Sequence, residues 1–255
     1  MLDPTPPSPA DSAVHASGRT SADIAALAEE VERESAFVRT LTDALADVVV
    51  GQRHMVERLL IGLLAGGHVL LEGVPGLAKT LTVRALAEAL AAAFQRIQFT
   101  PDLLPADLLG TLIYNQRTAD FQIKKGPSFA ILVLADEVLP EAQVERFLLK
   151  VVGGYPSREE ELEIMRRMAR TGERTPIPTV VTPQQVLKAR GLLNRFYVDE
   201  RVEHYIVDLV MASRQPGRYR LADIAPLLSI GASPRAPIGL NLAARAHAFH
   251  DARAY

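Results

Sequence analysis

The sequence has no cysteine and no tryptophan among its 255 residues, and its charges nearly balance. Without cysteine the chain can form no disulfide scaffold, no thiolate metal site and no cysteine nucleophile. The formal net charge of -2 gives no reason to expect nucleic acid or an acidic membrane surface as a partner. No apolar run approaches the ~20 residues of a membrane span, and the N-terminus lacks the pattern of a secretory signal. We therefore expect a soluble, cytoplasmic globular protein with no membrane span.

The chain divides into three parts by composition and periodicity. Residues 1–20 are rich in proline and serine, with little apolar surface to bury, and are expected to form a disordered tail. Between residues 21 and 155, helical periodicities alternate with short apolar runs, which is typical of a parallel α/β sheet. Residues 156–255 carry helical signals alone. The sequence thus predicts an α/β domain over 21–155 and a small all-α domain over 156–255.

Three helix starts are marked in the second domain. Ser157 and Glu160 have the spacing of a capping box, in which each side chain bonds the backbone of the other residue. Thr182 and Gln185 repeat that spacing, with proline at the first helical position. Ser233-Pro234-Arg235 is expected to begin a third helix in the same way.

A glycine-rich loop lies between a predicted buried strand, His68–Glu72, and a strong helical pattern. The loop reads Gly73-Val74-Pro75-Gly76-Leu77-Ala78-Lys79-Thr80. Backbone N–H groups in such a loop converge on one point, and the helix N-terminus adds positive potential. Lys79 can then reach the β- and γ-phosphates of a nucleotide, and the Thr80 hydroxyl can coordinate Mg²⁺. Ala78 stands where the strict pattern has glycine, but the strand before and the helix after favour a nucleotide site over a chance turn.

Two acids, Asp136 and Glu137, follow the most apolar run in the sequence, Phe129–Ala135. A carboxylate at the end of that strand can hold Mg²⁺ through water, and Glu137 is placed to polarise an attacking water. The alternative is that two acids simply end a strand at the solvent. The glycine loop upstream favours the functional interpretation.

Two arginines and two histidines are further candidates. Arg146 precedes the last predicted strand, where a cation from a neighbouring subunit could stabilise charge on the γ-phosphate. Arg235 lies in the first turn of a helix, where a cation opposes the helix dipole and points to an anionic partner. Either arginine could equally be a plain surface residue. His247 and His250 have no convincing third ligand, so we expect solvated histidines rather than a metal site.

Several segments together resemble the MoxR family of AAA+ ATPases. They are Val50-Gly51-Gln52, 67–80, 98–105, 134–137, 139–143, 154–160 and 231–236. The resemblance runs from Val48 to Tyr255 and is very specific, and alanine before the loop lysine is itself usual in that family. It implies a P-loop NTPase (AAA+) fold, in which a parallel sheet flanked by helices is followed by a small all-α lid domain.

The resemblance also implies cofactors, partners and residue roles. The cofactors are ATP and Mg²⁺, and the expected assembly is a homo-oligomeric ring, with a hexamer as its expected size. The partner is a protein client, for which a von Willebrand factor A-domain protein is one candidate. The implied roles are adenine contacts for Gly51 and Gln52, Walker A for Lys79 and Thr80, Walker B for Asp136 and Glu137, arginine finger for Arg146 and sensor 2 for Arg235.

The sequence departs from the family between Glu137 and Leu139. The family has a helix, a hairpin and a strand there, ending in the polar sensor 1 asparagine, whereas one residue fills the interval here. The Walker B strand must then pair directly with the Walker A strand, or a gap remains, and unpaired backbone groups in a buried sheet are costly. We expect direct pairing. Because the chain stops inside a helical pattern, we also expect an incomplete lid with part of an apolar face uncovered.

The leading interpretation is a MoxR-type AAA+ ATPase, in which Mg-dependent ATP hydrolysis drives chaperone-like remodelling or maturation of a protein partner. An alternative from another class is a non-catalytic nucleotide-binding remnant without useful turnover, which the missing sensor 1 segment favours. A third interpretation, a DNA-remodelling AAA+ relative, would need a basic pore-facing insertion, and the sequence shows none. The basic residues are dispersed, so nucleic-acid binding is not supported.

Overall fold

The computed structural model describes residues 21–74, 76–98, 110–115, 120–125, 132–136, 144, 146–169 and 176–254. The chain forms two compact units, one of residues Ala36–Asn194 and one that joins the segment up to Ser35 with Arg195–Tyr255. The predicted boundary between residues 155 and 156 falls inside the first unit, and the division into an α/β domain and a lid domain stays a prediction. The predicted tail over 1–20 lies outside the described residues.

The chain contains both helices and strands, and two of its described strand pairs are parallel, which confirms the predicted α/β class. Up to Asn194 the elements are α1 (Ser21–Ala46), α2 (Arg53–Ala65), β1 (Val69–Glu72), α3 (Lys79–Ala89), β2 (Phe94–Gln98), β3 (Gly110–Asn115), β4 (Asp120–Lys125), β5 (Leu132–Asp136), β6 (Leu149–Val152), α4 (Arg158–Met168) and α5 (Pro183–Leu193). The unit Ala36–Asn194 therefore contains every described strand, and helix α1 crosses the division at Ser35.

The six described strands form three two-stranded ladders. β1 and β6 form a parallel ladder, which one backbone bond extends at each end: Leu148 N–H donates to His68 O, and Gly153 N–H to Glu72 O, each at 2.8 Å. β2 and β5 form a second parallel ladder. β3 and β4 form an antiparallel pair.

The expected direct pairing of the Walker B strand with the Walker A strand is wrong within the described residues. There, β1 has its ladder with β6, and β5 has its ladder with β2. If β1 and β5 were paired, their backbones would run side by side about 4.8 Å apart and share a ladder of hydrogen bonds. Helix α3 packs on both β2 and β5, which holds those two strands together as a pair. The last strand, which the sequence predicted without naming a partner, is the one that joins β1.

Helix α3 is shorter than its apolar periodicity predicts. In the sequence, apolar residues recur at helical spacing from Leu81 through Leu90 to Phe94. The helix itself ends at Ala89, and Phe94 begins β2. Ala91 adopts a left-handed φ of 47°, which interrupts the helical backbone. Leu90 is nevertheless only 2% exposed. An apolar residue that is buried just beyond the helix end continues the helical spacing in the sequence, although it is not part of the helix.

Apolar residues of the first three helices are buried in the core. Leu41 and Leu45 of α1, Leu60 of α2 and Leu86 of α3 are all buried. Thr82 is completely buried on α3, and its hydroxyl donates to the Ala78 carbonyl at 2.9 Å, so its polar group is satisfied. The Thr82–Ala78 bond lies within the first turn of α3, next to the loop that precedes the helix.

Both predicted capping boxes are present. At the start of α4, Glu160 N–H donates to Ser157 Oγ at 3.3 Å, and Ser157 N–H donates to Glu160 Oε2 at 2.7 Å. Thr182 and Gln185 make the same reciprocal bonds at the start of α5. These helices therefore begin where the sequence predicts.

The unit that includes Arg195–Tyr255 contains α6 (Glu200–Arg214), α7 (Arg235–His250) and two short 3₁₀ helices, Pro216–Tyr219 and Ala225–Leu227. Helix α7 begins at the predicted place, but Pro234 holds the cap position. The Ser233 hydroxyl accepts the N–H of Arg235 at 3.4 Å, but Ser233 lies one position before the cap, where the sequence predicted Ser233 to start the helix. Of the helices in the described ranges, none has the length and apolar character needed to cross a membrane.

Candidate nucleotide site

The predicted phosphate loop turns sharply between β1 and α3. Gly73 has a φ of 140° and Gly76 a φ of 92°, conformations that glycine adopts without steric cost. Ala78, the cap residue of α3, lies in the left-handed region with a φ of 54°, which explains why the strict pattern has glycine at that position. Pro75 lies outside the described residues. Among the described residues, no atom lies within 4 Å of a Cβ added at Gly76, so the loop is open on that side.

Lys79 is the first residue of α3 and folds back over the loop. Its Nζ donates to the Gly73 carbonyl at 2.7 Å, which holds the half-buried ammonium against the loop backbone. Thr80 follows in the same turn and is also half-buried. The first N–H groups of a helix have no intrahelical partner and carry positive potential. Loop, ammonium and helix start therefore place donors and positive charge where a phosphate would bind.

The exit of β6 packs directly against this loop. A Cβ at Gly73 would lie 3.0 Å from the Gly153 carbonyl oxygen and 3.3 Å from Leu77 Cδ1. A Cβ at Gly153 would in turn lie 3.3 Å from Met55 Cε and 3.4 Å from Leu77 Cδ1. The sequence reasoning did not assign Gly153 and Gly154 to the site. Two adjacent glycines directly after an apolar strand were the signal that a close backbone approach occurs there.

The pair predicted to flank adenine lies on the same segment. Gln52 is only 5% exposed, and its Nε2 donates to the Gly154 carbonyl at 3.3 Å. Gly51 has a φ of 73°, and a Cβ there would lie 3.1 Å from Pro156 Cβ and 3.2 Å from the Glu160 carboxylate. The structure therefore brings together three segments that are distant in sequence: Gly51–Gln52, Gly73–Thr80 and Gly153–Glu160.

A carboxylate adjacent to the loop is neutralised by a lysine on the neighbouring strand. Glu72, the last residue of β1, makes an ion pair with Lys150 of β6, with Nζ and Oε2 2.9 Å apart. Both side chains are nearly half exposed, so the pair contributes little to folding. Its effect on the site is electrostatic, because it offsets a negative charge that would otherwise repel phosphate beside Gly73.

The remaining predicted residues are less closely defined. Asp136 is the last residue of β5 and lies opposite Gln98 in the backbone ladder. The side chain of Asp136 and the whole of Glu137 lie outside the described residues, so the proximity of these acids to Thr80 stays a prediction. Arg146 is exposed in a turn before β6, and Arg235 is exposed at the start of α7 in the other unit.

The two histidines of α7 stack on one another. The ring centroids of His247 and His250 lie 6.4 Å apart, and Nδ1 of His250 is 3.0 Å from a carboxylate oxygen of Asp251. Among the residues that the structure describes, no three histidine, aspartate or glutamate side chains are grouped so as to hold a metal ion. The pair is a helix-end contact with Asp251.

Comparison with known proteins agrees with this geometry. Residues 68–149 match the profile of the ATPase family associated with various cellular activities (AAA). The chain is 36% identical to chaperone MoxR1 from Mycobacterium tuberculosis, covering 87% of this chain and 72% of the relative. It is 34% identical to the uncharacterized protein YeaC from Bacillus subtilis, covering 82% of this chain and 78% of the relative.

A solved structure has the same fold. The crystal structure of a protein assigned as an ATPase from Cytophaga hutchinsonii matches with a TM-score of 0.80 and 40% sequence identity. The match covers 89% of this chain and 84% of the other. It includes most of both compact units.

The alignments contain more positions than this chain contributes. The match to MoxR1 spans 273 positions, whereas 87% of 255 residues is about 222, so about 51 positions have no residue here. For YeaC, 82% of 255 residues is about 209 against 257 positions, a difference of about 48. Both differences show that the chain lacks about 50 positions of these relatives within the matched region, and the location of the shortening between Glu137 and Leu139 stays a prediction.

Three independent observations converge. The fold is a parallel α/β arrangement with a glycine loop at the start of a helix, and Lys79 lies on that loop. The family profile spans both the loop and the two acids, and relatives above 30% identity cover most of the chain. The chain belongs to the MoxR family of AAA+ ATPases.

Proposed function

We propose that this protein binds ATP with Mg²⁺ on the loop Gly73–Thr80 and hydrolyses it to remodel or mature a protein partner. The observation that carries the proposal is the position of Lys79, whose ammonium lies 2.7 Å from the Gly73 carbonyl at the N-terminus of α3. An ammonium held there is placed to transfer its hydrogen bond to a phosphate oxygen.

The loop residues supply the phosphate contacts in this proposal. Backbone N–H groups of the loop and the Lys79 ammonium neutralise the β- and γ-phosphates. The Thr80 hydroxyl and the Asp136 carboxylate are the oxygen ligands for Mg²⁺, the ligand type that this ion prefers. When bound, Mg²⁺ would offset the negative charge that develops during phosphoryl transfer. Gly51 and Gln52 would flank the adenine, next to the Gly153–Glu160 segment.

The remaining roles concern the reaction itself. Glu137 would orient and polarise the water that attacks the γ-phosphorus. Arg146 would act in a neighbouring subunit, and its exposure is consistent with a residue that serves another copy. Arg235 would act within its own subunit as the sensor 2 cation. Each arginine would stabilise negative charge on the transferring phosphoryl group.

Assembly and partners follow from the family. A ring, with a hexamer as its expected size, would bring Arg146 of one subunit to the nucleotide of the next. The MoxR1 relative is named a chaperone, which supports a chaperone-like action on a protein client, and a von Willebrand factor A-domain protein is one candidate. A cytoplasmic location is part of the proposal, because the reaction consumes ATP.

A second candidate is a nucleotide-binding protein without useful turnover. The specific observation in its favour is the shortening of about 50 positions relative to MoxR1 and YeaC. We place the loss beside Glu137, where the sequence departs from the family. A protein of this kind would keep the phosphate loop and lose the groups that sense hydrolysis.

Phosphate release measured with Mg·ATP separates the two candidates. The ATPase proposal expects steady phosphate release that Lys79→Ala and Glu137→Gln both abolish. ATP binding detected by calorimetry without any phosphate release would favour the second candidate. Failure of the wild-type protein to bind ATP at all would reject both.

A further inference from the structure

An exposed aromatic ring lies in the middle of the segment that packs on Gly51 and Gln52. The Gly154 carbonyl accepts a hydrogen bond from the Gln52 side-chain amide at 3.3 Å. A Cβ built on Gly51 would lie 3.1 Å from the Cβ of Pro156. Tyr155 stands between these two contacts, yet 75% of its surface is exposed. Its backbone is therefore held on both sides while its ring remains available to a ligand.

The same segment is in contact with the phosphate loop. A Cβ built on Gly73 would lie 3.0 Å from the Gly153 carbonyl oxygen. The backbone that follows β6 therefore lies directly beside the loop. Two residues further on is Tyr155, and two residues of extended chain span at most ~7 Å. A side chain that begins so close to the loop is within reach of the base of a nucleotide whose phosphates lie on Gly73–Thr80.

We propose that the ring of Tyr155 stacks on the base of the bound nucleotide. The inference rests on the proposed function, since it requires the triphosphate to lie on the loop. Aromatic side chains stack on nucleobases through their faces, and such stacking tolerates any base because every base has a π-face. Tyr155 therefore strengthens nucleotide binding without selecting adenine over guanine. The Gln52 amide, bonded to the Gly154 carbonyl, positions the backbone that carries the ring.

The absence of tryptophan from the sequence provides a direct probe. The substitution Tyr155→Trp introduces a single indole, whose fluorescence reports on what approaches the ring. ATP is expected to quench this fluorescence, and inorganic tripolyphosphate, which offers the same phosphates without a base, is expected to leave it unchanged. An indole signal that ATP does not change, in a variant that binds ATP by calorimetry, would overturn the inference.

Binding constants give the second test. Calorimetry should show that Tyr155→Ala weakens both ATP and GTP on the order of 10-fold, and that Tyr155→Phe binds both like the wild type. Tripolyphosphate should bind all three proteins equally. The matched control is Tyr205→Ala, which removes another exposed tyrosine on α6 and should leave every affinity unchanged.

The outcomes separate this inference from the proposed function. If Tyr155→Ala binds ATP as the wild type does, or loses ATP and tripolyphosphate alike, the stacking role is wrong while the phosphate loop stands. A change in oligomeric state with unchanged ATP affinity would assign Tyr155 to a subunit contact instead. If Lys79→Ala leaves both ATP and tripolyphosphate binding intact, the proposed nucleotide site itself is wrong.

Discussion

The side-chain amide of Gln52 donates a hydrogen bond to the backbone carbonyl of Gly154 at 3.3 Å, joining positions 102 residues apart. Gln52 is buried, so its removal leaves the carbonyl without that donor. We expect Gln52→Ala to lower the free energy of unfolding by about 1–2 kcal/mol and to weaken ATP binding. Urea denaturation and calorimetry measure the two effects.

A matched glutamine provides the control for this substitution. Gln184 lies exposed in the first turn of α5, and Gln184→Ala should change the free energy of unfolding by no more than about 0.5 kcal/mol. Equal effects of the two substitutions would show that the bond between Gln52 and Gly154 does not stabilise the fold.

Lys79 is expected to be the residue on which nucleotide affinity depends most. Removing its ammonium in Lys79→Ala takes away a charge-assisted bond to phosphate, so calorimetry should detect no ATP binding. Arg84→Ala is the control, because Arg84 is an exposed cation on the same helix and pairs with Glu88 across one helical turn. If both variants kept wild-type affinity, the loop would not be the phosphate site.

The interpretation of Glu137 as the residue that activates water makes a different prediction. Glu137→Gln keeps the size of the side chain but cannot accept a proton from water. We expect this variant to bind ATP with unchanged affinity and to release no phosphate. Persistent turnover in a phosphate-release assay would instead assign the activation of water to another group.

The phosphate loop was predictable from sequence because its signal is local. Glycines at two positive-φ positions, a lysine and a threonine lie within eight residues, and the helix begins at Lys79 as the pattern requires. Helix starts at Ser157 and Thr182 were predictable for the same reason, since a capping box spans four residues.

Strand pairing was not predictable in the same way. Val69 of β1 lies opposite Leu149 of β6, about 80 residues away, and no local pattern specifies such a partner. The expectation that β1 pairs with β5 came from the missing segment and was wrong. The contact of Gly73 with Gly153 depends on the same long-range pairing, which is why the sequence did not assign Gly153 to the site.

Two glycines on helices should respond to alanine in opposite directions. A Cβ at Gly62 of α2 would clash with the Val69 side chain of β1, so Gly62→Ala should destabilise the protein by about 1–3 kcal/mol. Gly191 of α5 is exposed, and a Cβ there would meet no atom within 4 Å. Gly191→Ala should stabilise the protein by about 0.5–1 kcal/mol, because alanine costs less backbone entropy in a helix.

Chemical denaturation of the two variants side by side checks this prediction. Since both substitutions are glycine to alanine, the change in the entropy of the unfolded chain is the same in each. A neutral Gly62→Ala would contradict the packing of α2 on β1, and a destabilising Gly191→Ala would contradict the open space beside Gly191 on α5.

Asp199 should make the stability of α6 depend on pH. It caps that helix, and its carboxylate accepts the Arg201 guanidinium at 3.0 Å and the Arg201 N–H at 2.9 Å. The guanidinium bond first, and then the backbone bond, lower the pKa of Asp199 below its ordinary value of 3.8. The folded state therefore binds fewer protons than the unfolded state in this range, so the stabilisation is present above pH 3.8 and is lost as pH falls through the lowered pKa.

The substitution Asp199→Asn isolates the charge, because asparagine is also a good N-cap residue but does not titrate. We expect the wild type to have the higher melting temperature at neutral pH, by a small margin since the carboxylate is exposed to solvent. The margin should narrow as pH falls below the ordinary aspartate pKa of 3.8 and close once pH is below the lowered pKa of folded Asp199, because both side chains are then uncharged. Melting followed by circular dichroism across this range measures the margin, and a margin that did not change with pH would show that the charge of Asp199 does not stabilise α6.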